Sequence, residues 1–441
     1  MREKKSMKHH VDRRRFMKAA GLGSLAALGN ISPVAGFIPP ETISAIKNSE
    51  PMKITKIEAV RFRRDLRIDG EEVRWMWVRL HTNNGIVGVG ETYPFTEGQI
   101  GMLKDLEERS WMGKILGRDP RDIEGTWRDV FAQIAFHGWG GSDMRILTAI
   151  NIAQWDILGK ALGVPVYRLL GGKAQPKLRV YNTYTSYWTI NNMQMETDAE
   201  RIVRFLLDRG IKAMKIYPYE KVAAKTGGTY ISPADLENSL KWIKRIRDTA
   251  GYEMDIGLDL SSQWNLPCAL RIAESLEPYK IMWLEDVLLQ DNMQSYAVLA
   301  RETSIPICIS ERLATRYQFR EMLELRAADI VMYDLTWCGG ISEAKKISDM
   351  ADTYYIPTAP HTCGGPLLWF SSIHTATALT NFFIIESCYH FYNYQYPYFI
   401  SNVPVPKDGS VSPPEGPGLG IEFRPEPFER GDAIVEKIAE A

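Results

Sequence analysis

Short apolar runs alternate with helical stretches between residues 178 and 391. Eight runs rich in β-branched and aromatic residues recur there, most of them at intervals that suit one connecting helix: 179–184, 213–218, 255–260, 281–286, 307–312, 329–334, 356–361 and 383–386. Nearly continuous apolar strands that alternate with helices are typical of a parallel sheet covered by those helices. Eight strands favour a closed barrel over an open sheet. The pattern therefore predicts a (β/α) barrel over residues 178–391.

The preceding segment, residues 51–175, has strands first and helices after them. The run 53–60 alternates with a period near two, and Asn-Asn-Gly at 83–85 between apolar runs predicts a hairpin. From 97 to 163 the pattern is helical, with one broad apolar face. We therefore predict an α+β domain over residues 51–175, completed by the Pro- and Gly-rich tail 392–441.

Composition and charge narrow the class of protein. The chain has 441 residues, of which 45% are hydrophobic and 24% are charged, as in globular proteins. Its formal net charge of -1 gives no electrostatic footprint for nucleic acid. The cysteines are Cys268, Cys308, Cys338, Cys363 and Cys388. Their odd number and their spacing predict buried thiols and not a disulfide framework.

The first 45 residues form a separate segment. Residues 1–18 hold eight Lys and Arg residues against two acids, and small apolar residues follow over 19–28. The run from Asp12 to Lys18 resembles a twin-arginine export signal, whereas the alternative is a disordered basic tail. We expect export to the periplasm. We expect no membrane anchor, because the apolar run is too short to span a bilayer and the first cysteine is Cys268.

Ionisable residues stand at the ends of successive predicted strands. Asp259, Glu285 and Glu311 end the third, fourth and fifth runs, at equal spacings of 26 residues. The carboxyl ends of barrel strands meet at one mouth, where three carboxylates repel each other unless a cation or shared protons offset their charge. A hard divalent cation with oxygen ligands is the simplest solution. The spacing therefore predicts a metal site with positions left open for substrate.

The next three predicted strands end in Asp334, His361 and Glu386. If the neighbouring Asp334 holds one ring nitrogen of His361, the other nitrogen is left to act as a base. Glycines and prolines flank His361 and suit a tight loop that brings backbone near a ligand.

The order Asp, Glu, Glu, Asp, His, Glu at these strand ends resembles the mandelate racemase group of the enolase superfamily. Supporting runs occur at 151–157, 171–172, 285–286, 310–313 and 338–341. The similarity spans residues 52–425, and it implies a (β/α)7β modified TIM barrel with an N-terminal α+β capping domain. It also implies that loops of the cap, here 63–72 and 137–145, select the substrate. The expected substrate contacts are Arg64, Arg67, Trp75, His137, Ser261 and Arg312.

The resemblance also implies a chemistry. In that family the reaction begins with removal of a proton α to a carboxylate, and Mg²⁺ stabilises the resulting dianionic intermediate. One Mg²⁺ per subunit is then held by the three equally spaced carboxylates. His361 is the base, oriented by Asp334, and Glu386 hydrogen-bonds the intermediate. The run 310–313 and the spacing of these residues look most like a sugar-acid dehydratase of the galactonate-dehydratase type.

Two positions depart from the family pattern. Racemases of the group carry Lys-x-Lys at the second strand end, where this chain has Lys215 and Tyr217, which argues against two-base racemisation. Sugar-acid dehydratases often place a histidine two residues after the first metal ligand, where this chain has Ser261. Serine is a poor general acid near neutral pH. Either His361 serves both steps of a syn elimination, or Tyr217 or Lys215 donates the second proton.

Three functions remain open at this point. The first is a Mg²⁺-dependent lyase that eliminates water from a sugar acid to give a 2-keto-3-deoxy acid. The second is a cycloisomerase or epimerase that acts on an anhydro- or lactone sugar acid. The third, of another class, is a non-catalytic sugar-acid-binding protein. The expected partners are a small sugar acid and, by family habit, further copies of the chain in a homo-oligomer.

Overall fold

The structure of the chain is a computed structural model that describes residues 51–441. The predicted export signal, residues 1–45, lies outside the described residues. Within residues 51–441, no helix is both long enough and apolar enough to cross a membrane.

The described residues form antiparallel strands near both chain ends and mainly parallel strands between them. In chain order the strands are β1 (Ile54–Phe62), β2 (Arg67–Ile68), β3 (Glu71–Glu72), β4 (Met76–Thr82), β5 (Val87–Thr92), β6 (Leu178–Thr183), β7 (Ala213–Ile216), β8 (Asp255–Asp259), β9 (Trp283–Glu285), β10 (Ile307–Ile309), β11 (Ile330–Val331), β12 (Ile385–Ser387), β13 (Ser410–Val411) and β14 (Ala433–Glu440). The α-helices are α1 (Glu97–Glu108), α2 (Ile123–Ile134), α3 (Gly141–Leu162), α4 (Val166–Leu169), α5 (Met195–Leu207), α6 (Glu220–Thr226), α7 (Pro233–Ala250), α8 (Leu266–Leu276), α9 (Met293–Glu302), α10 (Thr315–Glu324), α11 (Ile341–Asp352), α12 (Pro366–Thr377), α13 (Tyr396–Phe399) and α14 (Glu426–Glu429). A 3-10 turn covers Glu277–Tyr279, and a π-helix covers Phe391–Gln395.

The parallel strands form the predicted barrel. Their order is β11, β10, β9, β8, β7, β6, β12, and each pair of neighbours is parallel. The seventh predicted run joins the two ends of this series, because Thr358 makes parallel bridges to Val331 in β11 and to Phe382 before β12. Helices α5 and α7 to α12 lie between successive strands. The predicted (β/α)7β fold is confirmed.

A four-stranded antiparallel sheet precedes the barrel. Its order is β14, β1, β4, β5, so the C-terminal strand β14 lies beside β1. Strands β4 and β5 form the hairpin that Asn-Asn-Gly at 83–85 predicts. The short hairpin of β2 and β3 lies between β1 and β4 in the chain. Together with α1 to α3, this sheet forms the expected α+β cap.

Helix α3 packs directly on β5 because two glycines remove the side chains between them. A Cβ atom on Gly90 would lie 1.8 Å from the carbonyl oxygen of Ala149, and one on Gly88 would lie 2.2 Å from that of Ala153. Any larger residue would force the helix away from the strand. Gly88 and Gly90 therefore allow the helix to pack closely on the sheet.

Glu91, at the end of β5, joins the cap to the barrel. Its buried carboxylate accepts hydrogen bonds from Trp77 Nε1 at 3.0 Å and from the backbone N–H groups of Leu367 and Leu368 at 3.2 and 3.1 Å. Those N–H groups belong to the first turn of α12, which has no intrahelical acceptors for them.

The five cysteines are buried and free, as their spacing predicts.

Candidate active site

The three equally spaced carboxylates meet at one end of the barrel. Asp259 and Glu285 end β8 and β9 and are directly paired in the parallel register, while Glu311 follows β10 by two residues. One carboxylate oxygen from each lies within 4.8 Å of the other two. Successive strand–helix units of equal length bring the residues at their strand ends to the same mouth of the barrel, so the equal spacing in sequence becomes adjacency in space.

Lys215 lies among these carboxylates. It is fully buried in β7, and its Nζ lies 2.5 Å from Glu285 Oε1, 3.0 Å from Glu386 Oε1 and 3.5 Å from Asp259 Oδ2. Burial alone would lower the pKa of Lys215, but the carboxylates of Glu285 and Glu386 hold it well above its ordinary value. The charged lysine therefore offsets part of the negative charge at this end of the barrel.

The donor set fits a hard divalent cation. Asp259, Glu285 and Glu311 supply only carboxylate oxygens, the ligands that Mg²⁺ prefers. Asp259 and Glu285 are also buried, so their charges need a cation close to them.

His361 and Asp334 form a buried pair at the next two strand positions. His361 Nδ1 lies 2.7 Å from Asp334 Oδ2, and the two residues are also joined by a parallel backbone bridge. Asp334 Oδ1 accepts from the backbone N–H and the hydroxyl of Thr336, at 2.6 and 2.5 Å. The aspartate is thus fixed on both oxygens, and it holds the imidazole with Nε2 free to face the carboxylates.

The free nitrogen of His361 faces two negative groups. Nε2 lies 2.9 Å from Glu311 Oε2 and 3.5 Å from Glu386 Oε2. Burial alone would lower the pKa of His361, but Glu311 and Glu386, together with Asp334, raise it well above its ordinary value. A cation at Glu311 would oppose that effect.

Glu386, in β12, accepts hydrogen bonds from several donors. It accepts from the hydroxyl of Thr183, from the backbone N–H of Thr362 at 2.7 Å and from Cys363 Sγ at 3.3 Å. Burial alone would raise the pKa of Glu386, but Lys215 and the other donors lower it to about 2. It is therefore a carboxylate throughout the physiological range.

We call these residues together the barrel-mouth cluster: Lys215, Asp259, Glu285, Glu311, Asp334, His361 and Glu386.

The two departures from the family pattern lie beside this cluster. Lys215 Nζ lies 5.8 Å from the ring centre of Tyr217. Burial and the neighbouring Asp259 raise the pKa of Tyr217 well above its ordinary value, so its phenol keeps its proton. Ser261 contacts Asp259 through its backbone, with its N–H 2.7 Å from Oδ1 and a positive φ of 55°.

Three of the expected substrate contacts lie at the surface of the cap, where each contacts an acidic side chain. Arg64 pairs with Glu97 at 3.1 Å, Arg67 with Glu72 at 2.7 Å, and His137 Nδ1 with Asp143 at 3.0 Å. The hydrogen bonds and ion pairs of the barrel-mouth cluster described above include none of them.

Arg312 and Trp75 lie elsewhere. Arg312 Nε lies 3.7 Å from Asp286 Oδ2, next to the carboxylate cluster. Trp75 is buried where the cap meets the C-terminal part of the chain, 6.4 Å from the ring of Tyr396.

Sequence reasoning missed the side chains that hydrogen-bond the carboxylates of the barrel-mouth cluster. Trp283 Nε1 donates to Glu285 Oε2 at 3.0 Å, and Thr183 donates to Glu386. Trp283 precedes Glu285 by two positions on one strand, so the period of two already places both on the same face. Thr183 ends the first barrel strand, the one strand end to which no role was assigned.

Comparison with known proteins identifies the family. Residues 69–171 match the family Mandelate racemase / muconate lactonizing enzyme, N-terminal domain, and residues 197–427 match the family Enolase C-terminal domain-like. The chain belongs to the enolase superfamily. The resemblance inferred from the strand ends is confirmed, and with it the expectation of an enzyme.

Relatives within the enolase superfamily cover most of the chain. It is 30% identical over 380 residues to the D-galactonate dehydratase of Pectobacterium atrosepticum, which covers 85% of this chain and 93% of that one. It is 29% identical over 356 residues to the D-xylonate dehydratase of Haloferax volcanii, covering 79% and 82% of the two chains. A crystal structure of an enolase of the mandelate racemase subgroup from Agrobacterium tumefaciens has 35% identity and a TM-score of 0.77, and covers 88% of this chain and 99% of its own.

Proposed function

We propose that this chain is a sugar-acid dehydratase that removes the proton α to the carboxylate and eliminates water to give a 2-keto-3-deoxy acid. The observation that carries the proposal is a single candidate base, His361, which Asp334 holds through Nδ1. Its Nε2 faces the carboxylate cluster and lies 2.9 Å from Glu311. The second base position of racemases holds Tyr217 instead of lysine. The dehydratase names of the relatives support the same class of reaction.

Asp259, Glu285 and Glu311 would hold one Mg²⁺. When bound, the ion would draw negative charge from the substrate carboxylate and from Glu311, which stabilises the deprotonated substrate and favours neutral His361.

The side chains of the barrel-mouth cluster divide the remaining work. His361 Nε2 takes the proton from C2, while Asp334 keeps the imidazole in the required tautomer. Lys215 donates to the substrate carboxylate, and the Glu386 carboxylate, which has no proton to donate, holds Lys215 in place through its Oε1. The C3–O bond then breaks, and the departing hydroxyl takes a proton from the His361 imidazolium or from the phenol of Tyr217. Water and an enol result, and the enol tautomerises to the 2-keto acid.

A library of aldonic and uronic-derived acids tests the proposal. The purified protein is incubated with Mg²⁺ and each acid, and 2-keto acid is measured, with the His361→Asn variant as the control. We expect keto acid from at least one sugar acid and none with the variant. Absence of keto acid from every member, alongside ring opening or inverted stereochemistry, would sink the proposal.

One observation favours a second candidate. Ser261 stands where dehydratases often carry their acid histidine, so the loss of the hydroxyl lacks its usual proton donor. Cycloisomerisation or epimerisation of an anhydro- or lactone sugar acid removes the C2 proton but releases no water, so neither reaction has a departing hydroxyl to protonate. Exchange of the C2 proton for deuterium without water loss would support this alternative.

We also propose that residues 1–45 direct export to the periplasm. Arg13 and Arg14 supply the arginine pair of the export pattern. Their joint replacement by lysine should keep the protein in the cytoplasmic fraction, and unchanged periplasmic recovery would contradict the proposal.

A further inference from the structure

Three buried side chains of different chemistry meet beside the carboxylates of Asp259, Glu285 and Glu311. His361, Cys363 and Glu386 each offer one ligand atom, and these atoms all lie within 4.8 Å of one another. Cys363 Sγ lies 3.3 Å from Glu386 Oε1, and His361 Nε2 lies 3.5 Å from Glu386 Oε2. Ligand atoms on one tetrahedral Zn²⁺ are about 3.3–3.6 Å apart, because Zn–N and Zn–S bonds are about 2.0–2.3 Å long. We call His361, Cys363 and Glu386 the thiol site.

Backbone hydrogen bonds hold the three residues of the thiol site together. The N–H of Glu386 donates to the carbonyl of Pro360 at 3.2 Å. Thr362 donates back to Glu386, from its N–H to Oε2 at 2.7 Å and from its hydroxyl to the carbonyl at 2.8 Å. His361 and Cys363 flank Thr362 in the chain, so these bonds fix both of them beside Glu386. The fold itself therefore brings the nitrogen, the sulfur and the oxygen together.

His361 and Glu386 are oriented as metal ligands usually are. A histidine that binds a metal almost always donates its other ring N–H to a carboxylate. His361 has this partner, since Nδ1 lies 2.7 Å from Asp334 Oδ2 while Nε2 faces Glu386. Ligating carboxylates are likewise held by further hydrogen bonds, which Glu386 receives from Thr183 and Thr362. The orientation that makes His361 a base also makes it a ligand, because both roles use the lone pair on Nε2.

The donor set of the thiol site selects a thiophilic cation. Mg²⁺ takes oxygen ligands in an octahedral arrangement, and this site supplies a single carboxylate. One nitrogen, one sulfur and one oxygen suit Zn²⁺ and similar divalent transition metals. Burial raises the pKa of Cys363 well above its ordinary value, so its thiol keeps its proton when no metal is bound. Binding replaces that proton, which passes to the solvent.

Charge balance favours such a cation at this buried position. Cys363 is 4% exposed and Glu386 is 0% exposed. A thiolate and a carboxylate together cancel the charge of one divalent ion, and the imidazole of His361 binds it as a neutral ligand. A group without net charge costs less to bury than a charged one. Lys215 Nζ lies 3.0 Å from Glu386 Oε1, but its own charge is offset by Glu285 at 2.5 Å.

We propose that the thiol site is a second metal site, which binds a thiophilic divalent cation such as Zn²⁺ and thereby blocks the base. The ion occupies the lone pair of His361 Nε2, the atom that takes the C2 proton in the proposed function. Binding at Cys363 does not depend on the proposed function, whereas the loss of turnover rests on it. The carboxylates that would hold Mg²⁺ offer no sulfur, so a metal–thiolate bond distinguishes the two sites.

Co²⁺ serves as the probe, because it accepts the same ligands as Zn²⁺ and gives an intense near-ultraviolet charge-transfer band when a thiolate binds it. The reduced protein is saturated with Mg²⁺, and Co²⁺ is titrated into the parent, Cys363→Ser and Cys268→Ser. Serine keeps a hydroxyl that can donate to Glu386 but supplies no thiolate. Cys268, in α8, is the matched control, because it is also 4% exposed and belongs to neither ligand group found within residues 51–441.

We expect the thiolate band in the parent and in Cys268→Ser, and none in Cys363→Ser. Zn²⁺ added afterwards should remove the band by taking the same ligands. Co²⁺ that replaces Mg²⁺ at the carboxylates does not contribute to it. No band in the parent, an equal band in Cys363→Ser, or a band that persists in excess Zn²⁺ would overturn the proposal.

A second variant keeps the thiol and removes the nitrogen ligand. His361→Asn should weaken Co²⁺ binding, followed by the same band, at least about 10- to 100-fold, the factor that loss of a group behind a ligand already produces. Unchanged binding would show that Cys363 takes up the metal without the other two residues. The Mg²⁺ affinity of Cys363→Ser is measured first as a check on its folding. If that affinity is lost, His361→Asn alone decides.

Turnover separates this proposal from the proposed function. Zn²⁺ should stop keto-acid formation by the Mg²⁺-saturated parent, and a chelator selective for Zn²⁺ should restore it. Cys363→Ser, compared with its own rate without Zn²⁺, should need at least about 10-fold more Zn²⁺ for the same loss. Equal sensitivity of the two proteins, or full turnover with the thiol site occupied, would show that the ion does not block the base there. If keto acid forms and no thiolate band appears, the thiol site fails and the dehydratase stands. If the band appears and no acid gives keto acid, the metal site stands and the dehydratase fails.

Discussion

The barrel-mouth cluster and a cavity of about 330 Å³ differ in how their buried polar groups are paired. This cap-side cavity is lined by residues of the β2–β3 hairpin and of the π-helix that follows β12, together with Trp75 and Tyr93. At the barrel mouth, Lys215 Nζ has carboxylate oxygens of three residues within 3.5 Å, and His361 has a carboxylate at each ring nitrogen. In the cap-side cavity, Trp75 Nε1 and Gln395 Oε1 have no partner among the described residues. The barrel mouth is dense in charged groups that contact groups of opposite sign, whereas in the cavity two uncharged polar groups lack partners among the described residues.

The difference follows from the cost of burial. An unpaired buried charge costs several kcal/mol, so a folded chain keeps such charges only in balanced groups. An unpaired buried amide or indole N–H costs about 1–3 kcal/mol, which a stable domain tolerates. A site that must bind a cation and an anion is therefore built from paired charges. Uncharged polar groups such as those of the cap-side cavity can stay unpaired in the folded chain at a smaller cost.

Removal of the base should have the largest effect. We expect His361→Asn to lower kcat about 10³- to 10⁴-fold, because positioned general bases contribute up to that factor. Asp334→Asn should also lower kcat, since the amide no longer fixes the tautomer of the imidazole. Keto-acid formation measures both, with Mg²⁺ affinity as the control for an intact site. Near-normal turnover in His361→Asn would show that the paired charges at the barrel mouth serve binding alone.

Removal of the buried Lys215 ammonium group should destabilise the protein when no metal is bound. Lys215→Met leaves buried carboxylates without their partner, so we expect the free energy of unfolding to fall by about 3–5 kcal/mol. Mg²⁺ should restore part of it, because the ion binds at the same carboxylates. Denaturant unfolding with and without Mg²⁺ measures the change. Lys345→Met, which removes an exposed pair with Asp349, is the control. A loss no larger than that of the control would mean that the barrel mouth does not depend on charge balance.

His374 is a buried histidine whose hydrogen-bond partners are neutral backbone groups, unlike the carboxylates around His361. His374 accepts from the backbone N–H of Tyr167 and donates to the carbonyl of Leu419, and burial lowers its pKa to about 4. The unfolded chain takes up this proton near the ordinary pKa of about 6.5. The contribution of His374 to stability is thus complete above about pH 6.5 and is lost as the pH falls towards 4, by up to roughly 3 kcal/mol.

Unfolding experiments across this pH range check the contrast. The difference in unfolding free energy between the parent and His374→Gln should shrink steadily from pH 6.5 to pH 4. A difference that stays constant would show that burial does not lower the pKa of His374 in the folded state.

The barrel mouth is largely predictable from the sequence because its groups end consecutive apolar strands. Asp259, Glu285 and Glu311 are 26 residues apart, and a parallel barrel converts equal spacing into adjacency. The position of Lys215 among these carboxylates is harder to predict from the sequence. The sequence indicates Lys215 only as one of the alternative donors of the second proton, while the structure shows the lysine against Glu285 and Glu386.

The cap-side cavity is not predictable in the same way. Its walls come from four distant segments, residues 71–75, Tyr93, 187–188 and 391–395, which no local spacing connects. The π-helix also lies where the sequence indicates only the start of a Pro- and Gly-rich tail. Trp75 was expected as a substrate contact from the resemblance, whereas Gln395 has no signal in sequence. Its amide nitrogen lies 3.2 Å from Nε2 of His390, whose other ring nitrogen faces Asp69, and only the fold brings these residues together.

The smallest expected effect lies at the rim of the cap-side cavity. Glu72 is 39% exposed at its side chain and pairs with Arg67 and Arg74, so Glu72→Gln should change the free energy of unfolding by less than about 1 kcal/mol. The same substitution removes an anionic partner of both guanidinium groups, but water solvates them at the surface, so the loss stays small. Denaturant unfolding of Glu72→Gln and Lys215→Met under the same metal-free conditions measures the contrast. A loss with Glu72→Gln as large as that with Lys215→Met would mean that the two regions do not differ in their dependence on paired charge.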